Sequence, residues 1–414
     1  MKYDDQLQTI DSLQKVMEVL KTYVSGETIE RQIKVQDQLC RGISEAVHEI
    51  NKSLFIVDRL NINNLEKLLS DDNMNPDLNE LEEAFAGWTS FCKDIIAKRE
   101  KNRNYVDESF YRIIDMAFYA DYDVIVEHVI GQLKEKPDKL KEKLNDYYQT
   151  YYYFWGSLDI DNDNFETVHL RIRELIEHKD DFLWLYENLG DYRSKCVLTG
   201  FLEYWVSYDP YTTITRMKET TFRDYYDLDL YDVSDDEVVV DLGAYIGDSA
   251  LDFIRTYHSY KDIYCFEVSP RNVEKMRETL SGYENIHFIT KAAGAKKGTM
   301  MMNIEDVVAS DNTQTSAHKG VETQVEVTTV DDEISEPVTM IKMDIEGAEQ
   351  DAVKGCERHI RNEHPKLLIC VYHNNTDIWK IPRMVTEIYP GYKLYLRANG
   401  LQWGPSEIVL FALP

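Results

Sequence analysis

The chain has 414 residues, of which 43% are hydrophobic, enough for two or three domains of about 150 residues with ordinary cores. That balance excludes a disordered chain, a collagen-like repeat and a disulfide-stapled miniprotein. Forty-six Lys plus Arg against 75 Asp plus Glu give a formal net charge of -29. Long-range attraction to phosphate then has the wrong sign, so neither a nucleic acid nor an anionic membrane surface is an expected partner.

Six cysteines (Cys40, Cys92, Cys196, Cys265, Cys356 and Cys370) lie scattered without a CxxC pair. Such spacing reads as reduced intracellular thiols, not as a disulfide frame or a zinc site. The first residues, Met1 to Asp5, are acidic where a signal peptide needs an apolar core. No apolar run approaches the ~18 residues of a membrane span. A soluble, cytoplasmic protein is expected.

Residues 1–105 are expected to be helical. Leu39, Ile43, Val47, Ile50 and Leu54 step by helical intervals, and Leu7, Ile10, Leu13, Met17 and Leu20 form a similar stripe. The short registers favour a helical bundle over a long coiled coil. Core packing is the preferred use of these stripes, with a homodimer through them as the alternative. A polar stretch from Lys98 to Asn104 marks a boundary. Residues 106–232 are expected to form a second helical, aromatic-rich region that covers or links to the C-terminal domain.

That region contains Tyr147, Tyr148, Tyr151, Tyr152, Tyr153, Phe154 and Trp155. Aromatics at this density can line a groove for sugars, but more often pack helices with Tyr hydroxyls at the rim. Asp159, Asp161 and Asp163 imitate the start of a calcium loop. Asn164 then stands where Gly is needed and Leu170 where the bidentate Glu belongs. The segment reads as a solvated turn before a helix near Phe165.

From residue 233 the pattern changes. Apolar runs at 238–240, 263–266, 286–289, 338–343 and 366–372 alternate with helical patterns, which indicates βαβ units and a parallel sheet. Two last runs, 392–397 and 407–413, are joined without a helix and suggest an antiparallel edge hairpin.

Four elements carry chemistry. The run Val238 to Ser249 ends a strand in Asp241 and turns through Gly243 and Gly247 into a helix whose first N–H groups are free for a ligand. Tyr245 occupies the position where G-x-G-x-x-G would have its second glycine, so a dinucleotide fingerprint is absent. Glu267, 24 residues after Gly243, can accept hydrogen bonds from ribose hydroxyls, with Ser269 and Pro270 opening the next helix. Asp344 and Glu346 follow a third strand, and His373 closes a fourth at the same edge. Asp344 or His373 is a candidate base, with Glu346 as a further catalytic candidate. Asp331, Asp332, Glu333, Asp344 and Glu346 could gather around Mg²⁺, but a solvated acidic surface is the preferred reading and no metal is expected.

Residues from about 236 to 414 resemble the FkbM-type methyltransferases, within the class I Rossmann-like fold that uses S-adenosylmethionine. The resemblance rests on VVVDLGAYIGDSA (238–250), CFEVSP (265–270), TTVDDE (328–333), MIKMDIEGAE (340–349), VYH (371–373) and EIVLFAL (407–413). A weaker likeness runs through 183–198 and 223–237. It implies a seven-stranded, mostly parallel sheet, with Asp241, Gly243, Ala244, Gly247 and Asp248 around the methionine and ribose of the cofactor. Tyr245, Ser249 and Val268 would stand beside them, and Glu267 would hold the ribose. Ala292 and Ala293 would contact adenine, and Tyr225, Tyr226 and Tyr245 are candidate walls. The implied reaction is methylation of a hydroxyl on a sugar, glycan or specialised metabolite. The competing readings are a binding protein that has lost activity and a nicotinamide-dependent oxidoreductase.

Overall fold

The computed structural model describes residues 8–16, 43, 45–47, 78–100, 104–210, 225–304, 321–399, 404 and 406–414. Contacts divide the chain into two compact units, Met1–His128 and Val129–Pro414. In the first, α1 (Leu78–Glu100) buries Leu81, Phe85, Trp88 and Cys92 at intervals of four, three and four. Helix α2 (Tyr105–Tyr119) starts at Asn104, whose side chain accepts the Val106 and Asp107 amides and so satisfies two of the donors a helix start leaves open. Ile10, Leu13, Ile43 and Val47 of the expected stripes are buried. Leu7, Met17, Leu20, Leu39, Ile50 and Leu54 lie outside the described residues, as does Cys40. Helix α3 (Tyr122–Lys134) crosses from one unit into the next.

The second unit opens with α4 (Asp138–Thr150), α5 (Tyr152–Trp155), α6 (Glu166–Glu177), α7 (Lys179–Asn188) and α8 (Tyr192–Ser207). Between α5 and α6 the acidic segment is a tight turn, with Asp159 and Asn164 exchanging backbone hydrogen bonds of 2.8 and 2.9 Å. Tyr147, Tyr148 and Trp155 are buried, while Tyr152 and Tyr153 are exposed. At the centre of this aromatic core lies Arg171, itself buried, within 6.0 Å of the Tyr148, Trp155, Tyr204, Trp205 and Tyr208 rings. Cation–π attraction and a 2.5 Å bond to the Tyr148 hydroxyl stand in for a carboxylate partner.

Seven strands then form one sheet in the order β3-β2-β1-β7-β8-β10-β9. They are β1 (Val238–Leu242), β2 (Asp262–Phe266), β3 (Ile286–Ile289), β7 (Met340–Met343), β8 (Lys366–Cys370), β9 (Lys393–Ala398) and β10 (Ile408–Leu413). The first five named are parallel to one another, and β10 is antiparallel to both β8 and β9. Every residue of β1, β7 and β10 is buried, because helices cover both faces of such a sheet. Each expected strand is present, but the hairpin is threaded so that its last strand lies inside and β9 forms the edge. That edge is covered: the Gly190 amide donates to Leu394 O, and the Leu396 amide to Ser194 Oγ. Capping an edge in this way leaves few open ladder groups for another chain.

A second, three-stranded sheet was not expected from the sequence. It has the order β4-β6-β5, formed by β4 (Ala292–Ala293), β5 (Gly298–Ile304) and β6 (Val321–Thr328). The helices that follow strands of the main sheet are α9 (Asp248–Tyr257), α10 (Pro270–Thr279), α12 (Glu349–Gly355), α13 (Glu357–Glu363) and α14 (Asp377–Ile388), with the short α11 (Val330–Glu333) after β6. Right-handed crossovers running outward in both directions from β1 and β7 put α9 and α10 on one face and α12 and α14 on the other. No helix among the described residues is long and apolar enough to cross a membrane. Cys92, Cys196, Cys265, Cys356 and Cys370 are free thiols.

Candidate active site

The chain leaves β1 toward β2 on one side and returns through β7 and β8 on the other. The C-terminal ends of β1 and β7 therefore flank a topological switch point, where open α/β sheets form their ligand crevice. Four neighbouring strand ends carry Glu267, Asp241, Asp344 and His373 in spatial order.

Gly243 turns the chain out of β1 at φ +78°, and a Cβ there would come within 1.9 Å of the Asp344 carbonyl oxygen. Only glycine combines that conformation with so close an approach of the two strand ends. Its amide and that of Ala244 both donate to Phe266 O at 3.1 and 2.9 Å, which ties the loop to β2. Tyr245 adopts φ 47°, and its amide donates to Glu267 Oε2 at 3.1 Å. The other Glu267 oxygen accepts the Ser269 amide at 2.8 Å. Burial pushes the Glu267 carboxyl above its ordinary pKa in spite of these donors.

Asp241 is buried. Its Oδ2 accepts the Ser249 hydroxyl at 2.5 Å, and its Oδ1 stands 3.0 Å from Lys342 Nζ. Lys342 sits in the middle of β7, also buried, and donates to Gly243 O at 2.9 Å with its ammonium 5.2 Å from the Tyr225 ring centre. Burial opposes its charge, but the Asp241 and Asp344 carboxylates outweigh burial and raise its pKa. Asp248 starts α9, and burial followed by Asp241 repulsion raises its carboxyl pKa.

Asp344 follows β7 directly. The Tyr225 hydroxyl donates to its Oδ2 at 2.8 Å, while its buried Oδ1 makes no hydrogen bond among the described residues. Burial would raise its pKa, yet Lys342, His373 and Tyr225 together lower it, so the carboxylate is ionised. His373 is 1% exposed. Its Nδ1 lies 3.0 Å from Glu349 Oε1, and its Nε2 lies 3.5 Å from Glu346 Oε2 and 3.6 Å from Asp344 Oδ1. Burial would favour the neutral ring, but Glu349, Glu346 and Asp344 push its pKa up to about 10. Glu349 is fully buried and accepts the Ile345 and Gly347 amides at 2.9 and 3.1 Å. That turn needs two left-handed residues, Glu346 at φ 57° and Gly347 at φ 103°. Phe154 leans on the imidazole with ring centres 5.3 Å apart. Beside it a cavity of about 450 Å³ is bounded by Phe154, Leu170, Glu174, Gly347, Asn374 and Thr376.

The structure thus brings together Asp241, Gly243, Tyr245, Ser249 and Glu267 on one side of the switch point and Asp344, Glu346 and His373 on the other. Val268 packs against an apolar cluster containing Ala292, and Ala293 is buried next to it in β4. Tyr225 faces Asp344, and Tyr226 is buried with its hydroxyl on Ser249 O. Of the acids considered for Mg²⁺, Asp344 and Glu346 both face His373, while Asp331, Asp332 and Glu333 have partners elsewhere. Asp331 holds the Arg358 and His359 amides, Glu333 pairs with Lys291, and Asp332 lies 3.6 Å from Lys297. Sequence reasoning passed over Lys342 and Glu349. The one available signal was a lysine inside an otherwise apolar strand, Ile341-Lys342-Met343, which must be paired to be buried.

Residues 241–400 match the model of the Methyltransferase FkbM domain. No curated protein matches the chain. Among solved structures, an FkbM methyltransferase from Methylobacillus flagellatus KT is 25% identical over 58% of this chain and 61% of that chain, with a TM-score of 0.49. The match therefore spans less than two thirds of that protein's length. An rRNA methylase from Streptococcus thermophilus is 16% identical over 43% of this chain and 87% of that one (TM-score 0.29). A putative methyltransferase from Streptococcus mutans, solved in complex with SAH, is 14% identical over 43% and 90% (TM-score 0.28). The strand order and the switch-point loop agree with the match of residues 241–400 to the Methyltransferase FkbM domain.

Proposed function

We propose that the chain transfers a methyl group from S-adenosylmethionine to a hydroxyl of a polyhydroxylated acceptor, a sugar, a glycan or a specialised metabolite. The observation that carries this reading is the row of carboxylates at the switch point: Glu267, Asp241, Asp248 and Asp344 against the buried cation Lys342. Such an edge suits a cofactor that carries a sulfonium and an ammonium, and repels a pyrophosphate. The residues fit the group in kind. Asp241 and the Gly243–Gly247 turn would receive the amino-acid part, Glu267 the ribose hydroxyls, and Val268 with Ala292 an apolar ring. When bound, the cofactor supplies an activated methyl group.

The protein's own task is then alignment and deprotonation. Alignment of reacting groups is worth about 7–11 kcal/mol, and the rigid strand ends and the Tyr225–Asp344 bond provide it. Asp344 is ionised and can accept the hydroxyl proton through Oδ1, whereas His373 already holds its proton at neutral pH. The protonated His373 keeps the carboxylates around it in place. The cavity beside Phe154, lined by amides and a hydroxyl, suits a small polar acceptor.

Calorimetric titration with S-adenosylhomocysteine, with NAD in parallel, tests the cofactor class. Micromolar binding of the former alone, lost in Asp241→Ala and Glu267→Ala, is expected. Binding of NAD instead would overturn the reading.

A further inference from the structure

The Asp344–Glu346–Glu349–His373 group has a geometry that ion pairing leaves incomplete. Glu349 is anchored by two backbone amides and faces Nδ1, which fixes the orientation of the ring. Nε2 then points between Asp344 Oδ1 and Glu346 Oε2 at 3.6 and 3.5 Å. These separations are long for hydrogen bonds. They match two ligand atoms that share one ion at about 2.0–2.2 Å each, which stand roughly 3.3–3.6 Å apart at the tetrahedral angle. Neither ring nitrogen of His373 nor Asp344 Oδ1, all buried, makes a hydrogen bond among the described residues. One ligand atom each from Asp344, Glu349 and His373 also falls within 4.8 Å of the others, a trio in which Glu349 stands in place of Glu346.

We propose that a divalent cation displaces the Nε2 proton of His373 into solvent and is held by Nε2, Asp344 and Glu346, with Glu349 as the carboxylate that orients the histidine. A buried carboxylate behind a ligating imidazole is the arrangement by which proteins fix the ring and raise its basicity. One nitrogen with two carboxylates favours a first-row ion between Mn²⁺ and Zn²⁺ over Ca²⁺. Three protein ligands leave coordination positions open. The ion's role in chemistry rests on the acceptor reading, in which an acceptor hydroxyl would occupy one open position and ionise more easily there.

The full-length chain, stripped with EDTA and desalted, would be titrated with MnCl₂ while free Mn²⁺ is followed by electron paramagnetic resonance. One saturable ion per chain is expected, with ¹⁴N coupling in the pulsed spectrum, and about 10–100-fold weaker binding in Glu349→Gln and Asp344→Asn. The ¹⁴N coupling is read on the unaltered protein, so it stands even if a variant misfolds. Unsaturable binding, or bound Mn²⁺ without nitrogen coupling, would mean ions scattered on an acidic surface and would overturn the site. Retained S-adenosylhomocysteine binding in that case would leave the methyltransferase reading intact. Loss of that binding with Mn²⁺ still held would do the reverse.

Discussion

Lys342 Nζ stands 3.0 Å from Asp241 Oδ1 and 2.9 Å from Gly243 O, so one buried ammonium ties the end of β7 to the end of β1 across the switch point. Both side chains are almost fully buried. Removing one member of such a pair leaves an uncompensated charge, at a cost of about 3–5 kcal/mol. Lys342→Met should therefore lower unfolding free energy in urea by that amount. The double variant Lys342→Met/Asp241→Asn should recover part of the loss.

Gly243→Ala should be severe for a different reason. The new Cβ would meet the Asp344 carbonyl oxygen at 1.9 Å while the residue is held at φ +78°. Backbone on both sides prevents relief, so the strand ends must separate. Strain at one left-handed position alone costs about 1–3 kcal/mol, and the clash adds to it. A lower melting temperature together with lost cofactor binding is the expected outcome. Gly298→Ala, where nothing lies within 4 Å, serves as the control.

The acid limit of stability should depend on Asp191. This residue caps α8 through the Ser194 amide and lies 2.9 Å from Arg397 Nη2 on edge strand β9. Burial works against its charge, but Arg397 and Ser194 outweigh it and hold its pKa below the ordinary value. A carboxyl depressed on folding contributes stability above its unfolded pKa, about 3.9, and loses it as pH falls through the folded value. Asp191→Asn keeps a good cap and removes only the charge. Solvent screens this partly exposed carboxylate, so the substitution should cost about 0.5–1.5 kcal/mol at pH 7; that difference from the native chain should begin to shrink as pH falls below ~3.9 and vanish only below the depressed folded value.

The main sheet was legible because its strands are buried on both faces and therefore appear as apolar runs such as Val238-Val239-Val240 and Leu367-Leu368-Ile369-Cys370. The small sheet was not read, because β5 reads Gly-Thr-Met-Met-Met-Asn-Ile and β4 is two alanines, neither a β-branched alternation; only its central strand β6, Val-Glu-Thr-Gln-Val-Glu-Val-Thr, carries that signal. In the site, acids at strand ends could be read from motif position. What they touch could not. Glu349 lies one helical turn from Ile345 in sequence, yet turns inward to His373, 24 residues away, because the Glu346-Gly347 turn reverses the chain. His373 in isolation reads as a base near neutrality. Three carboxylates gathered from another strand's loop work against that reading, since they push its pKa up to about 10 in spite of burial.

Asp344→Asn separates chemistry from binding. The variant keeps the size of the side chain and an oxygen for the Tyr225 hydroxyl, 2.8 Å away in the native protein. It removes a strand-end carboxylate whose buried Oδ1 is without a hydrogen bond among the described residues. Loss of a general base typically lowers turnover about 10²–10⁴-fold, so kcat should fall by that factor while S-adenosylhomocysteine affinity changes only a few-fold. Glu346→Gln then distinguishes the two ways in which Asp344 can act. If Asp344 works by itself as a base, removing the half-exposed Glu346 charge should change kcat only a few-fold. If Asp344 works as a ligand to a divalent ion, Glu346→Gln should lower kcat at limiting Mn²⁺, and added Mn²⁺ should restore it. Full activity of Asp344→Asn under both conditions would remove this residue from the mechanism altogether.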